Sequence, residues 1–211
     1  MPFFAPMPPE PEPAQERPSG WVPPLWDRPS EAVLGAPVPL FALLAQTERV
    51  AVAFSHVEAY PNGFTFEISM IGNPMGTPPA QRPGPFAMHG PQARRGPRVG
   101  LEFADGTRVG DGAAPPGFPG PAFARSTTSV LRKDDDGIPT EPVLRHQGGS
   151  GNGKRFDMRF WCFPLPPPGP VKVFVEWTGF DIGETMATFD AHLIRDGASR
   201  AVTIWQPDRP R

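Results

Sequence analysis

Arg155-Phe156-Asp157-Met158-Arg159-Phe160-Trp161-Cys162-Phe163 is the stretch that decides the fold. Phe156, Met158, Phe160 and Cys162 take one phase of a two-residue repeat, and Arg155, Asp157, Arg159, Trp161 and Phe163 take the other. Side chains alternate across a strand, so the stretch reads as a β-strand with one face in a core. Val171 to Trp177 repeats the pattern, with Val171, Val173, Val175 and Trp177 against Lys172, Phe174 and Glu176. The linker Pro164-Leu165-Pro166-Pro167-Pro168-Gly169-Pro170 is too stiff and too poor in donors for a two-residue hairpin, so a crossing between two sheets fits as well as a hairpin.

Working outward, Val50, Val52 and Phe54 alternate before Pro61-Asn62-Gly63, and Phe64, Phe66, Ile68 and Met70 alternate after it. Asn-Gly tolerates the positive φ of tight turns, which predicts a hairpin. Val99, Leu101 and Phe103 run into Asp105-Gly106 and return through Thr107 to Val109, a second hairpin. Short strands are expected near 128–132 and 142–146, around the turn-rich KDDDGIPTEP, and another near 185–190. In DAHLIRDGASRAVTIW, Leu193, Ile194, Ala198, Ala201, Val202 and Trp205 recur at helical spacing, which predicts a terminal helix with Gly197 as its weak point. Seven to nine short strands and one helix describe a mainly β single domain, an antiparallel β-sandwich or a barrel-like relative of it.

The 33 prolines among 211 residues demand much irregular backbone. Twelve of them lie in residues 1–39, beside Trp21 and Trp26, and mark a proline-rich N-terminal arm. The sandwich domain is expected over 40–206, with long loops at 72–97 and 110–124 and a short tail at 207–211. The arm is acidic, whereas between Glu67 and Glu102 the only charges are Arg82, Arg94, Arg95 and Arg98. A net charge of −2 gives no basic surface for nucleic acid. No apolar run reaches membrane-spanning length, one cysteine, Cys162, cannot form an internal disulfide, and the first residues lack the pattern of a secretory signal. The expectation is a cytoplasmic protein that binds neither membrane nor nucleic acid.

His146 to Arg155 contains G-x-x-x-x-G-K at Gly148 to Lys154. A phosphate-binding loop needs Ser or Thr next, to hold magnesium, and a helix after it whose amides face the phosphate. Arg155 stands there instead, and the residues after it alternate as a strand, so the glycines are read as a loop between strands. The scattered His56, His89, His146 and His192 draw no zinc site, and Asp134-Asp135-Asp136-Gly137 lacks the alternating ligands of a calcium loop. No metal or cofactor is expected. There is no G-x-S-x-G, and Cys162 falls in the core phase of its strand, where thiols are inert. Asp157, Glu176 and Glu184 are the carboxylates that a small acid–base enzyme would use, with Arg155 or Arg159 beside them, but cross-strand ion pairs explain them equally well. Trp161 and Phe163 among charges suggest a patch covered by the helix or the arm, or else a partner site.

Lys154 to Pro170, followed by Glu176-Trp177 and Glu184-Thr185, resembles a family of uncharacterised proteins from high-GC Gram-positive bacteria. The resemblance extends to Tyr60-Pro61-Asn62-Gly63-Phe64, to Leu101-Glu102-Phe103-Ala104-Asp105-Gly106 and to the glycines at 148–153. It brings no activity or ligand with it. The first functional expectation is a non-enzymatic protein-interaction or accessory module engaging a protein partner through Trp21, Trp26, Trp161 or Arg155, because proline-rich segments lose little entropy on docking. The alternative is the enzyme built on Asp157, Glu176 and Glu184, and a third reading has the 146–155 loop binding a small anion.

Overall fold

The computed structural model describes residues 24–75, 96–110, 132–152 and 154–205. Trp21, most of the 72–97 loop, the strand expected near 128–132 and the tail lie outside them. The described residues form twelve strands and one helix, in this order: β1 Val33–Leu34, β2 Ala36–Val38, β3 Ala42–Gln46, β4 Val50–Tyr60, β5 Gly63–Gly72, β6 Arg98–Glu102, β7 Arg108–Gly110, β8 Val143–Gly151, β9 Arg155–Phe163, β10 Pro170–Trp177, β11 Ile182–Asp190, α1 Ala191–Ser199 and β12 Val202–Thr203. One sheet runs β2-β4-β5-β9-β8, with β3 sharing the outer edge of β4 beside β2, and the other runs β11-β10-β6-β7. All ladders are antiparallel. The chain is mainly β, as its two-residue periodicity requires.

The apolar phases face one another across the gap between the sheets. Phe54, Phe66, Ile68 and Phe160 from the first sheet meet Leu101, Val171, Val173 and Val175 from the second in one core. Phe66 stacks on Phe160 with centroids 5.3 Å apart, and Phe54 on Phe189 at the same distance. The sheet edges also adjoin, β11 beside β3 and β7 beside β8, so the sandwich is nearly a flattened barrel. Pro164–Gly169 carries the chain from β9 in one sheet to β10 in the other, which resolves that linker as a crossing.

Several expectations need correction. Residues 33–38, assigned to the arm, are strands: Ala36–Val38 pairs with Val57–Ala59, and Val33–Leu34 pairs with Val202–Thr203. The helix stops at Ser199, because Val202 and Thr203, branched at Cβ, leave it to form that ribbon. Val202 and Trp205 are therefore exposed and belong to no helical face. Gly197 is less a weak point than a point of contact, since a Cβ there would lie 2.7 Å from Val38 Cγ2 and 3.0 Å from Ala59 Cβ. The β4–β5 hairpin forms as expected, yet neither Asn62 nor Gly63 has positive φ. Gly63 is needed for space, because a Cβ would sit 2.6 Å from the Trp161 ring and against the Cys162 carbonyl. In the β6–β7 turn the expected reason holds: Gly106 has φ +82°.

Asp190 caps α1 by accepting a hydrogen bond from the His192 amide at 2.8 Å. Ala191, Ile194 and Ala198 then close one end of the core, while Phe180, on a short 3-10 turn with Arg49 above its ring, closes the other.

Candidate functional site

Functional side chains concentrate on the outer face of the larger sheet, where the polar phases of β4, β5 and β9 lie side by side. Ser55 pairs with Glu67 and Ser69 with Asp157 in the ladders, but the register slips between Ser55 and Glu58. This bulge leaves His56 as an extra residue with φ +50°, so that Val57 still faces the core while Ser55 and His56 both reach the outer face. Such backbone in a non-glycine residue gathers at functional places, which makes the bulge the natural point to inspect. No residue pattern signals it, since alternation runs cleanly on both sides.

Ser55 Oγ lies 3.0 Å from His56 Nδ1 and 3.3 Å from Ser69 Oγ. Ser69 donates to Asp157 Oδ1 at 2.6 Å, and Arg155 Nε holds both oxygens of Asp157 at 3.0 and 2.9 Å. Burial works against ionising Asp157, but the hydrogen bonds from Arg155 and Ser69 outweigh it and hold the carboxyl below its ordinary range. Glu67 Oε2 also approaches His56 Nδ1, at 3.2 Å. A serine, a histidine and a carboxylate are therefore together, yet not as a catalytic relay. Such a relay places serine and carboxylate on opposite ring nitrogens, so that one holds the tautomer while the other takes the proton. Here both compete for Nδ1, and Ser55 and Ser69 are buried out of reach of a substrate.

Along the same face, Arg159 donates to Glu58 at 2.6 Å, and the Tyr60 hydroxyl donates to the same carboxylate oxygen. Burial, with Glu58 adding to it, raises the Tyr60 phenol above its usual value. Tyr60 packs edge-on against Trp161 at 5.7 Å. Trp161, placed by its phase among charges, is fully buried. The segment around Trp26 lies over it: Trp161 Nε1 donates to the Trp26 carbonyl at 3.1 Å, Asn62 to the Leu25 carbonyl at 3.0 Å, and Gln147 to the Asp27 carbonyl at 2.8 Å. Lys133 Nζ and the Arg145 guanidinium stand 4.6 and 5.4 Å from the Trp26 ring, and Asp27 pairs with Arg145. The Trp161 indole is thus engaged by the Trp26 backbone within the chain, and Arg155 is engaged by Asp157 and Ser69.

The remaining candidates are dispersed. Glu176 sits on the other sheet, paired with Arg98 at 2.7 Å, and Glu184 is exposed on β11, so neither joins Asp157. The glycine run is no loop: β8 continues to Gly151, with a bulge near Gln147 at which Gly148 takes φ +125°. The Asn152 side chain accepts from the Lys154 and Arg155 amides, so those two backbone donors are taken within the chain. Burial pushes the Cys162 thiol up, far from a reactive thiolate. Among the described residues no cluster of His, Cys, Asp and Glu could hold a metal, and no helix is long and apolar enough to cross a membrane.

A different kind of site lies at the end of the sandwich near α1. The β6–β7 turn, the segment before β8 and the crossing between the sheets enclose a cleft of about 440 Å³. Phe103 and Leu165 line it with Pro139, Pro142, Pro164 and Pro167, and Asp105 and Glu141 are the charged residues of its wall. Sequence reading passed over it because its walls come from three connections far apart in the chain.

Comparison of the chain with known protein families, with curated proteins and with solved structures gives no match.

Proposed function

We propose that this is a non-enzymatic protein-binding module of the cytoplasm, and that it receives its partner in the cleft between Phe103, Glu141 and Leu165. The cleft carries this reading. Its volume falls in the range of ligand sites, its walls present apolar and polar surface in nearly equal measure, and proline-rich walls lose little entropy when something docks. The groups of catalytic type support it from the other side, because Ser55, Ser69, Asp157, Glu58 and Arg159 are engaged with one another on a face partly covered by residues 24–28. A cysteine without a disulfide partner suits a reducing compartment. The test places a photo-crosslinking residue at Thr140, on the cleft wall, and separately at Thr188, exposed on β11, in the full chain expressed in its own cell. A discrete protein adduct from Thr140 and none from Thr188 is expected. Adducts from Thr188 alone, or from neither, overturn the reading.

A further inference from the structure

The hydroxyls beneath the β4 bulge have directions that the network imposes, and those directions fix the state of His56. Arg155 Nε holds both oxygens of Asp157, at 3.0 and 2.9 Å, so this carboxylate is ionised and only accepts. Ser69, 2.6 Å from Asp157 Oδ1, gives its one hydrogen there. Arg155 Nη2 donates to Ser69 Oγ at 3.2 Å and leaves that oxygen one further lone pair, which Ser55 Oγ meets at 3.3 Å. Ser55 therefore donates to Ser69, and turns a lone pair toward His56 Nδ1 at 3.0 Å. A hydrogen on Nδ1 completes the chain and also meets Glu67 Oε2 at 3.2 Å. With the ring hydrogen on Nε2 instead, Ser55 would turn its own hydrogen toward Nδ1. The contact between the buried Ser55 and Ser69 would then hold no hydrogen, and the Nδ1 lone pair would face the Glu67 carboxylate.

We infer that Asp157, acting through Ser69 and Ser55, holds His56 as the Nδ1–H tautomer and so presents the Nε2 lone pair at the surface, as an acceptor site for an N–H or O–H group. Which ring nitrogen carries the hydrogen is set by the bond that the other makes. The His56 side chain is 63% exposed, and no described residue bonds to its Nε2. His192 is the opposite case within the same chain, because its Nε2 lies 2.9 Å from Asp196 Oδ2 and keeps the hydrogen there. When His56 takes up a proton, the proton enters at Nε2 and leaves the bonds to Ser55 and Glu67 in place. The charged groups about the bulge are Glu67 from β5, Arg155, Asp157 and Arg159 from β9 and Glu58 from β4 itself; Arg155 and Arg159 are turned to Asp157 and Glu58, so Glu67 is the charge in contact with the ring. Asp157, Ser69 and Ser55 are positioning residues here, and the site stands independently of the cleft.

The experiment reads the tautomers by NMR, in long-range ¹H–¹⁵N spectra of the imidazole rings of the ¹⁵N-labelled full chain, at a pH above which neither the His56 nor the His192 signals move. A ring nitrogen without hydrogen resonates far downfield of one that carries it, and His56→Gln identifies the signals of His56. The downfield nitrogen is expected to be Nε2 in His56 and Nδ1 in His192. Ser69→Ala removes the acceptor that directs the Ser55 hydroxyl, and is expected to move His56 toward the Nε2–H form; adding Glu67→Gln should carry it mostly to that form. Ser55→Ala cuts the same path one step nearer to the ring and should act as Ser69→Ala does, so it serves if that variant fails to fold, while unchanged His192 signals report an intact domain. Access to the lone pair is tested with diethyl pyrocarbonate, which acylates it: peptide mass spectrometry should find His56 modified before His192. Nε2–H in His56 of the native chain overturns the inference. A tautomer that neither serine variant moves overturns it as well, by giving control to Glu67 alone, and so does a His56 that reacts no sooner than His192.

Discussion

Replacing Trp26 by alanine tests whether residues 24–28 belong to the folded domain. Trp26 is half-buried, so the change removes about half of the 3–5 kcal/mol that a buried tryptophan is worth, roughly 2 kcal/mol. Lys133 and Arg145 lose the ring they face, and at such exposed or partly covered sites that adds about 0.5–1 kcal/mol. The expected cost is about 2–3 kcal/mol. For a chain of this length that lowers the melting temperature by about 4–12 °C. Urea denaturation measures the free energy, and exchange of the Trp161 indole proton reports the local event. That proton is bonded to the Trp26 carbonyl beneath the segment, so loosening the segment should accelerate its exchange well before the domain unfolds. A double-mutant cycle with Lys133→Gln should return a coupling of about 0.5–1 kcal/mol. If Trp26→Ala changes neither the urea midpoint nor the indole exchange, the segment is not held by its tryptophan, and Trp26 returns to being a group for a partner.

Gly197→Ala gains up to about 1 kcal/mol of helix propensity but drives a methyl into Val38 and Ala59, so a net loss of about 1–2 kcal/mol is expected in urea denaturation. At the β4 bulge, His56→Gly should be more stable than His56→Ala by about 1 kcal/mol in the same assay, since φ +50° suits only the former; equal stabilities would mean that the bulge is not held in that backbone conformation. For Asp157 the folded carboxyl ionises below its unfolded value, so its contribution is complete above the ordinary carboxylate range and fades as pH falls through the folded value. Asp157→Asn should therefore be less stable than the native chain at pH 7, with the difference shrinking below pH ~4 in melts taken across that range; a difference independent of pH would count against the ionised carboxylate as its source.

Much of the fold was legible because core-facing phases are simple. Phe64, Phe66, Ile68 and Met70, or Val171, Val173 and Val175, announce a strand and its inward face without reference to anything distant. What sequence reading missed is of another kind. Val202 had helical spacing and strand chemistry at once, and the pairing of Val202 and Thr203 with Leu34 and Val33, some 170 residues away, decided between them. Residues 33–38 followed a proline-rich stretch and were read with it, although the edge of β4 gives Ala36–Val38 a ladder to join and Val202–Thr203 gives one to Val33–Leu34. The glycines of β8 looked like a loop because glycine is common in loops; the Phe156 ring lies against two of them and leaves no room for side chains.

The outer face of the larger sheet shows why the candidate site was the hardest part to read. A polar phase ordinarily means solvent, yet Ser55, Thr65 and Ser69 are as buried as core residues and Trp161 more so. Such groups must find partners, and the ones they find explain the composition of the face: serines joined to Asp157, an arginine for each of Asp157 and Glu58, and a backbone carbonyl for the Trp161 indole. Groups that resemble a catalytic set in the sequence are therefore consumed in satisfying one another. The cleft is the reverse case, with two carboxylates that no described cation meets in a space that no described side chain fills. Among the described residues that line this wall, Asp105 and Glu141 are the charged ones, and neither shares an ion pair with a described residue.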